Sequence, residues 1–209
     1  MLNTETVIHP KLQHLGLTTG NLQPLLAWYK TVLGMRLIYL SENPIGAPAD
    51  STPSIKAVWL SNDEANHRIA VVEISGLVAD PERPRHQRLQ HVAFAYSTLD
   101  DLLGTYVRLK ALGILPAISV DEGSQTAFYY EDPDRNSVEL NVSNYAETWA
   151  SIEHIQNSPE FARRPLGVDV DPEKLVAAYE TGASAWELHK RAWKGDFAPA
   201  QPYDPKVLL

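Results

Sequence analysis

Two histidines and one glutamate offer the clearest chemistry in this sequence. His14 and His91 each follow a glutamine, in Leu12-Gln13-His14-Leu15 and Leu89-Gln90-His91-Val92, and each opens a stretch of strand-like composition. Glu139 stands between Val138 and Leu140 in a third such stretch. Two neutral imidazoles and a carboxylate carried on three strands can occupy one face of a metal ion and leave three positions open, as in non-haem Fe(II) oxygenases. Taken singly, none of the three is informative. A lone histidine is more often a core or surface residue than a ligand, and a strand carboxylate between apolar neighbours more often faces solvent.

What links them is an internal repeat. With Gln13-His14 aligned on Gln90-His91, an offset of 77 residues from 14 to 91, Leu22 falls on Leu99, Leu25 on Leu102, Leu26 on Leu103 and Tyr29 on Tyr106. Gly34 and Gly113 close the two copies, the second longer by two residues. Two copies do not make a solenoid; they suit a pseudo-symmetric domain whose site lies between its halves. The repeat therefore gives both histidines the same place on equivalent first strands.

Further side chains join this set. Residues two apart in a strand share a face, so His67, Ile69, Val71 and Glu73 are expected to point one way. Glu73 holds the place in the first copy that Glu139 holds in the second, which makes it a fourth ligand or a hydrogen-bonding partner of the ligands. The bland alternative is a solvated face. Tyr129 and Tyr130 precede the turn Asp132-Pro133-Asp134-Arg135-Asn136. One of them must face the site, where a phenol can donate a hydrogen bond or a proton; simple strand packing is the alternative for either. Trp59, Phe94 and Phe128 are candidates to line an aromatic pocket.

The elements that must position these residues read as two βαβββ modules. In the first, a strand at Lys11–Thr19 leads to a helix with Asn21 as cap, Pro24 in its first turn, apolar residues at helical spacing and Gly34 as its stop. Strands follow at Met35–Leu40, Ile55–Leu60 and His67–Ile74, with a Pro-, Gly- and Ser-rich loop at Ser41–Pro53. The second module repeats the order: a strand at Leu89–Tyr96, a helix at Leu99–Leu112, and strands near Ile114–Val120, Thr126–Glu131 and Ser137–Val142. Beyond Tyr145 the texture becomes helical at Ala146–Gln156, Pro172–Glu180 and Ala183–Trp193, and the last residues are expected to wrap the surface. The expected fold is α+β: two paired βαβββ modules, about 8–76 and 86–145, form a cupped mixed sheet around a metal site in a domain of residues 1–145. Residues 146–209 form a helical C-terminal extension, too short for a core of its own, that packs on the domain or on a partner subunit.

Composition narrows the function. Hydrophobic residues make up 44% and charged residues 21% of 209, a globular profile. The absence of cysteine removes disulfides, thiolate metal sites and a cysteine nucleophile. A formal charge of −8 with scattered Lys and Arg argues against nucleic acid. No signal peptide and no stretch of ~18 apolar residues is visible, so no membrane partner is expected and the cytoplasm is the expected location.

Two βαβββ modules with ligand positions on first and last strands resemble the vicinal oxygen chelate superfamily of glyoxalases, epimerases, fosfomycin-resistance proteins and type I extradiol dioxygenases. The resemblance spans about residues 8 to 145 and is nearest to the one-domain extradiol catechol dioxygenases. It implies His14, His91 and Glu139 as the metal triad. Asn66-His67-Arg68-Ile69-Ala70 resembles the strand bearing a catalytic histidine, here His67, and Phe128-Tyr129-Tyr130-Glu131-Asp132-Pro133 the segment bearing the active-site tyrosine, here Tyr129. Extradiol enzymes usually carry another histidine where this chain has Val120-Asp121-Glu122-Gly123, which moves a proton-relay role to Glu122. Relatives often have glycine where Arg135 stands. The implied activity is ring cleavage of a catechol or related ortho-hydroxylated aromatic, in aromatic compound metabolism, with Fe(II) (alternatively Mn, Ni, Co or Zn) and O2, in a homodimer. The runner-up is a metal-dependent isomerase or lyase of the glyoxalase or epimerase type, with Glu73 as fourth ligand or base. A metal-free protein that sequesters an aromatic ligand is a third reading, against which the intact ligand set argues.

Overall fold

The structure is a computed structural model, and it describes residues 7–41 and 55–204. Most of the loop expected at Ser41–Pro53 lies outside them, as do the last five residues. The chain resolves into two compact units, residues 1–79 and 80–209.

The first unit contains β1 (Leu15–Thr19), α1 (Leu22–Leu33), β2 (Arg36–Leu40), β3 (Ile55–Ser61) and β4 (Ile69–Ile74), in a four-stranded sheet of order β1-β4-β3-β2. β1 and β4 are parallel; the other pairs are antiparallel. Helix α1 buries Leu22, Leu25, Tyr29, Val32 and Leu33, at roughly 1.5–3 kcal/mol for each large apolar side chain. It ends as expected at Gly34, in the left-handed region at φ 63°. Its start differs from expectation. The Asn21 side chain makes no cap; the Glu73 carboxylate, arriving from β4, accepts the Leu22 N–H at 2.9 Å.

The second unit repeats this plan with β5 (His91–Tyr96), α2 (Leu99–Ala111), β6 (Ile118–Asp121), β7 (Gln125–Glu131) and β8 (Ser137–Ser143). β5 and β8 form its parallel pair. Here α2 is capped from within, by Thr98 accepting from Asp101 N. Arg135, in the turn between β7 and β8, adopts the left-handed region at φ 64°. The strain there is offset by Asp132, whose carboxylate accepts from Asp134 N, Asn136 N and Asn136 Nδ2 at 2.8–2.9 Å.

The C-terminal extension belongs to this second unit. Its helices are α3 (Thr148–Asn157), α4 (Pro159–Arg163), α5 (Pro172–Glu180) and α6 (Ala185–Ala192). Between the expected helices, where no strand was expected, Val168–Asp169 forms β9 and pairs antiparallel with β6, giving a sheet of order β5-β8-β7-β6-β9. Val170, Leu175, Leu188 and Phe197 are buried, so the extension joins a core it could not build alone. A polar clasp adds to this. Asp121 on β6, 1% exposed, accepts from Trp193 Nε1 at 2.9 Å and Asn144 Nδ2 at 3.1 Å, and lies 2.9 Å from His189 Nδ1. Among the described residues no helix is long and apolar enough to cross a membrane.

Candidate active site

Strand register decides which side chains can work together. In the second unit Glu139 pairs with Ala93 on β5 and with Tyr129 on β7, and Tyr129 pairs with Ile118 on β6. Directly opposed residues share a face, as do residues two apart. One face of this sheet therefore carries His91, Glu139, Asn141, Tyr129 and Gln125. The other packs on α2.

Glu139 is 2% exposed. A buried carboxylate is tolerated only with partners, and Glu139 has several. Oε1 accepts from Gln125 Nε2 and Asn141 Nδ2, each at 2.7 Å. Oε2 lies 2.9 Å from His91 Nε2. The His91 ring stands edge-on to Tyr129, centroids 5.5 Å apart. Tyr129 donates its hydroxyl proton to Glu122 Oε1 at 2.7 Å, and the Gln125 amide that serves Glu139 also donates to Glu122 Oε2 at 2.9 Å. Burial pushes the Glu122 carboxyl above its ordinary range, opposed by the Tyr129 and Gln125 hydrogen bonds and reinforced by the Glu139 charge. Burial, the hydrogen bond to Glu122 and the two carboxylate charges push the Tyr129 phenol far above its ordinary value, so it remains a proton donor.

In the first unit His14 lies just before β1, its ring tilted against that of His67 with centroids 4.4 Å apart. His67 in turn stacks on Trp59, centroids 5.4 Å apart at an interplanar angle of 20°. Trp59 pairs with Ala70, so it shares Ala70's face of the sheet.

Register also corrects several expectations. The pair Leu15 with Ile69 corresponds to Val92 with Val138, so the slot matching Glu139 in the first unit is Ala70, not Glu73. Glu73 is three residues further on and faces the side of α1, where it also meets Lys56 at 3.2 Å. The Leu22 N–H, ahead of Lys56, holds its carboxyl below the ordinary range. The parity that put His67 on Glu73's face does not hold, because β4 begins only at Ile69; His67 stacks on Trp59, which shares Ala70's face. Phe94 and Phe128 both pair with Leu140, on the face opposite Glu139. Phe128 is fully buried and packs edge-on against Tyr106 of α2. Phe128 is thus a core residue and Phe94 a half-buried one on the same face, and of the three pocket candidates Trp59 alone contacts a candidate site histidine, His67.

The test of fit for a metal rests on His91. Its Nδ1 contacts the Gln90 side-chain oxygen, an acceptor that a proton on Nδ1 would satisfy. In that tautomer Nε2 is the lone-pair nitrogen, and it faces Glu139 Oε2 at 2.9 Å. Two acceptors at that distance are held together by a proton or a metal ion between them. Two ligand atoms ~2.0–2.2 Å from one ion, at right angles, stand about 3 Å apart. The pair therefore fits a divalent ion. His14 shows the same Nδ1 contact, with Gln13 Oε1. Among the described residues, no group of three or more His, Asp or Glu side chains stands close enough to hold a metal ion.

Sequence reasoning missed Gln125 and Asn141. Asn141 was accessible in principle, being two residues after Glu139 on the same strand. Gln125 becomes visible only through the pairing of β7 with β8.

The Glyoxalase/Bleomycin resistance protein/Dioxygenase superfamily model matches residues 11–140. The chain belongs to this superfamily. Among its curated relatives, biphenyl-2,3-diol 1,2-dioxygenase 3 of Rhodococcus globerulus is 34% identical over 89% of this chain and 90% of its own length. Biphenyl-2,3-diol 1,2-dioxygenase 2 of the same organism is 30% identical over 96% of this chain and 97% of its own. Both alignments extend beyond the superfamily domain into the C-terminal extension, so that extension is part of what these proteins share. In fold, the chain is similar to the crystal structure of a glyoxylase/bleomycin resistance protein/dioxygenase domain from Frankia sp. EAN1pec, at a TM-score of 0.52 and 18% identity, over 67% of this chain and 96% of that one.

Proposed function

We propose that this protein is an extradiol-type ring-cleaving dioxygenase that uses Fe(II) and O2 on a catechol or related ortho-hydroxylated aromatic, with a biphenyl-2,3-diol among the first substrates to try. The observation that carries this reading is the His91–Glu139 pair at 2.9 Å, in a chain 34% identical to a biphenyl-2,3-diol 1,2-dioxygenase. His91 and Glu139 would hold the metal, and His14 is the third ligand that the family resemblance implies. When bound, such an ion supplies adjacent open positions for two vicinal substrate oxygens and for O2, and lowers the pKa of a bound hydroxyl.

The remaining steps belong to the protein. Gln125 and Asn141 hold the Glu139 carboxylate with two hydrogen bonds and leave Oε2 facing His91. Tyr129 keeps its proton and can donate a hydrogen bond to a substrate oxygen. Glu122, whose affinity for a proton is raised by burial, can take a proton through the Tyr129 hydroxyl to which it is bonded. It thereby fills the role left by the missing histidine. His67, held by ring contacts on both sides, is the candidate to move a proton in the first unit. Trp59 offers an aromatic surface for the substrate ring. The isomerase reading needs Glu73 on the metal or as the base that moves the proton, whereas Glu73 is engaged with Leu22 N and Lys56. A homodimer is part of the proposal, supported by the exposed Trp149, Ile152 and Ile155 of α3, and light scattering tests it.

The test is to purify the protein without oxygen, measure bound metal, and follow O2 uptake and ring-fission product with a panel of catechols. Stoichiometric O2 consumption with a substituted catechol is expected. Full metal loading with no O2 uptake on any of them, together with proton exchange on an α-hydroxyketone, would replace this reading by the isomerase.

A further inference from the structure

The glutamine before each histidine is repeated as faithfully as the histidine itself, and the structure gives it a task. His14 Nδ1 contacts Gln13 Oε1, and His91 Nδ1 contacts Gln90 Oε1. The orientation of the Gln13 amide is fixed from its other end. Its nitrogen donates to Asn66 Oδ1 at 2.9 Å and to the His67 carbonyl at 3.1 Å. Two acceptors on the nitrogen side leave the oxygen facing the ring. An amide oxygen cannot donate, so the imidazole must present Nδ1–H. That is the minority tautomer of neutral imidazole in water, and it makes Nε2 the lone-pair nitrogen.

We propose that Gln13 and Gln90 are positioning residues that hold His14 and His91 as Nδ1–H tautomers, each with its Nε2 lone pair presented for metal binding. The inference rests on the reading that these histidines are metal ligands. Partners of this kind fix the ring's orientation and raise its basicity, and removing one typically costs 10–100-fold in metal affinity. The two glutamines are not equally supported. Gln13 is braced by Asn66 and the His67 carbonyl, so Asn66 acts on the same ring at one remove.

The experiment compares wild type with Gln13→Met and Gln90→Met, which keep side-chain length but lose the acceptor, and with Gln13→Glu and Gln90→Glu, which retain one. Both glutamines are exposed, so the fold should tolerate all four. In metal-free protein labelled with 15N-histidine, at about pH 8.5 where imidazole is neutral, long-range 1H–15N correlation reads the tautomer directly. Wild type and the Glu variants should show Nδ1–H at both rings, and each Met variant should shift its own histidine toward Nε2–H. Co(II) affinity, measured by chelator competition, should fall ~10–100-fold in each Met variant and recover in the Glu variants. Met variants that keep Nδ1–H, or that bind Co(II) within twofold of wild type while His14→Ala and His91→Ala lose it, overturn the proposal alone. If His14→Ala and His91→Ala bind Co(II) as wild type does, the ligand reading falls and takes the proposal with it.

Discussion

In the first unit the strand position paired with Gly16, one residue past Leu15, is Ala70; in the second the corresponding position holds Glu139. Around that slot the two units share a parallel strand pair, a helix against the opposite face, and a closing glycine in the left-handed region at φ 63° and 77°. They differ in where the acid went. The second unit buries its glutamate beside His91 and surrounds it with Gln125, Asn141, Tyr129 and Glu122. The first unit has no acid in that slot, and its Glu73 caps α1 from the other face. Equivalent elements in a repeat thus need not carry equivalent residues. A shift of three positions moves a side chain to the opposite face of a sheet, because three is odd.

The largest effect should come from the slot itself. Glu139→Ala is expected to lose stoichiometric metal and all detectable turnover, and Glu73→Ala to keep both; metal analysis and O2 uptake decide. Equal loss of metal in the two variants would break the contrast between the glutamates. Next, His67→Ala should retain metal but lose ~10²-fold or more in kcat, the scale of a general acid–base group. Metal loss in proportion to activity would make His67 a support for His14 and nothing more.

Tyr129 and Tyr130 give a within-strand version of the same test. Tyr129→Phe removes a donor bonded to Glu122 and should lower kcat by ~10-fold or more. The Tyr130 hydroxyl is buried without a hydrogen-bond partner among the described residues. Tyr130→Phe should therefore leave kcat unchanged and stability equal or higher, since an unsatisfied buried hydroxyl costs about 1–3 kcal/mol.

Two smaller effects concern stability. Beyond its neutral effect on metal, Glu73→Ala should destabilise by ~1 kcal/mol through loss of the α1 cap, visible as a lower Tm. Glu122 has a raised carboxyl pKa in the folded protein, caused first by burial. Between the unfolded value of about 4.3 and the raised folded value, the native state binds more protons than the unfolded state. Its stability therefore falls as pH rises through that window. Glu122→Gln removes this dependence, so its Tm relative to wild type should be higher at neutral pH than near pH 4. A difference independent of pH would show that burial is not the cause.

Much of this was legible in the residues. Period-two and helical spacing located nearly every element of both modules, and the repeated Gln-His pair singled out the two histidines against a background of seven. What failed was face assignment. Phe94 and Phe128 were chosen for being aromatic, yet His91 and Tyr129 on the site face already exclude residues three and one positions away. Glu73 was assigned by counting elements, and only the pairing register shows that Ala70 holds the slot. β9 had no signal, because two residues cannot show a period and their pairing with β6 depends on how the extension folds back. The Asp121 clasp was hidden for the same reason: its donors lie at 144, 189 and 193, beyond the reach of local pattern.

The short strand β9 has a consequence for how the chain can be cut. Without it, β6 would present a row of unpaired backbone amides and carbonyls at the rim of the second sheet, a template for any extended chain nearby. Val168 and Asp169 cover that row, and the sheet then ends on a strand too short to recruit another. A fragment stopped near residue 145 would retain every proposed metal ligand and proton carrier. It would also expose the β6 rim and strip Asp121 of its contacts with Trp193 and His189. Such a fragment should be recovered as insoluble, strand-paired aggregate, however complete its catalytic side chains.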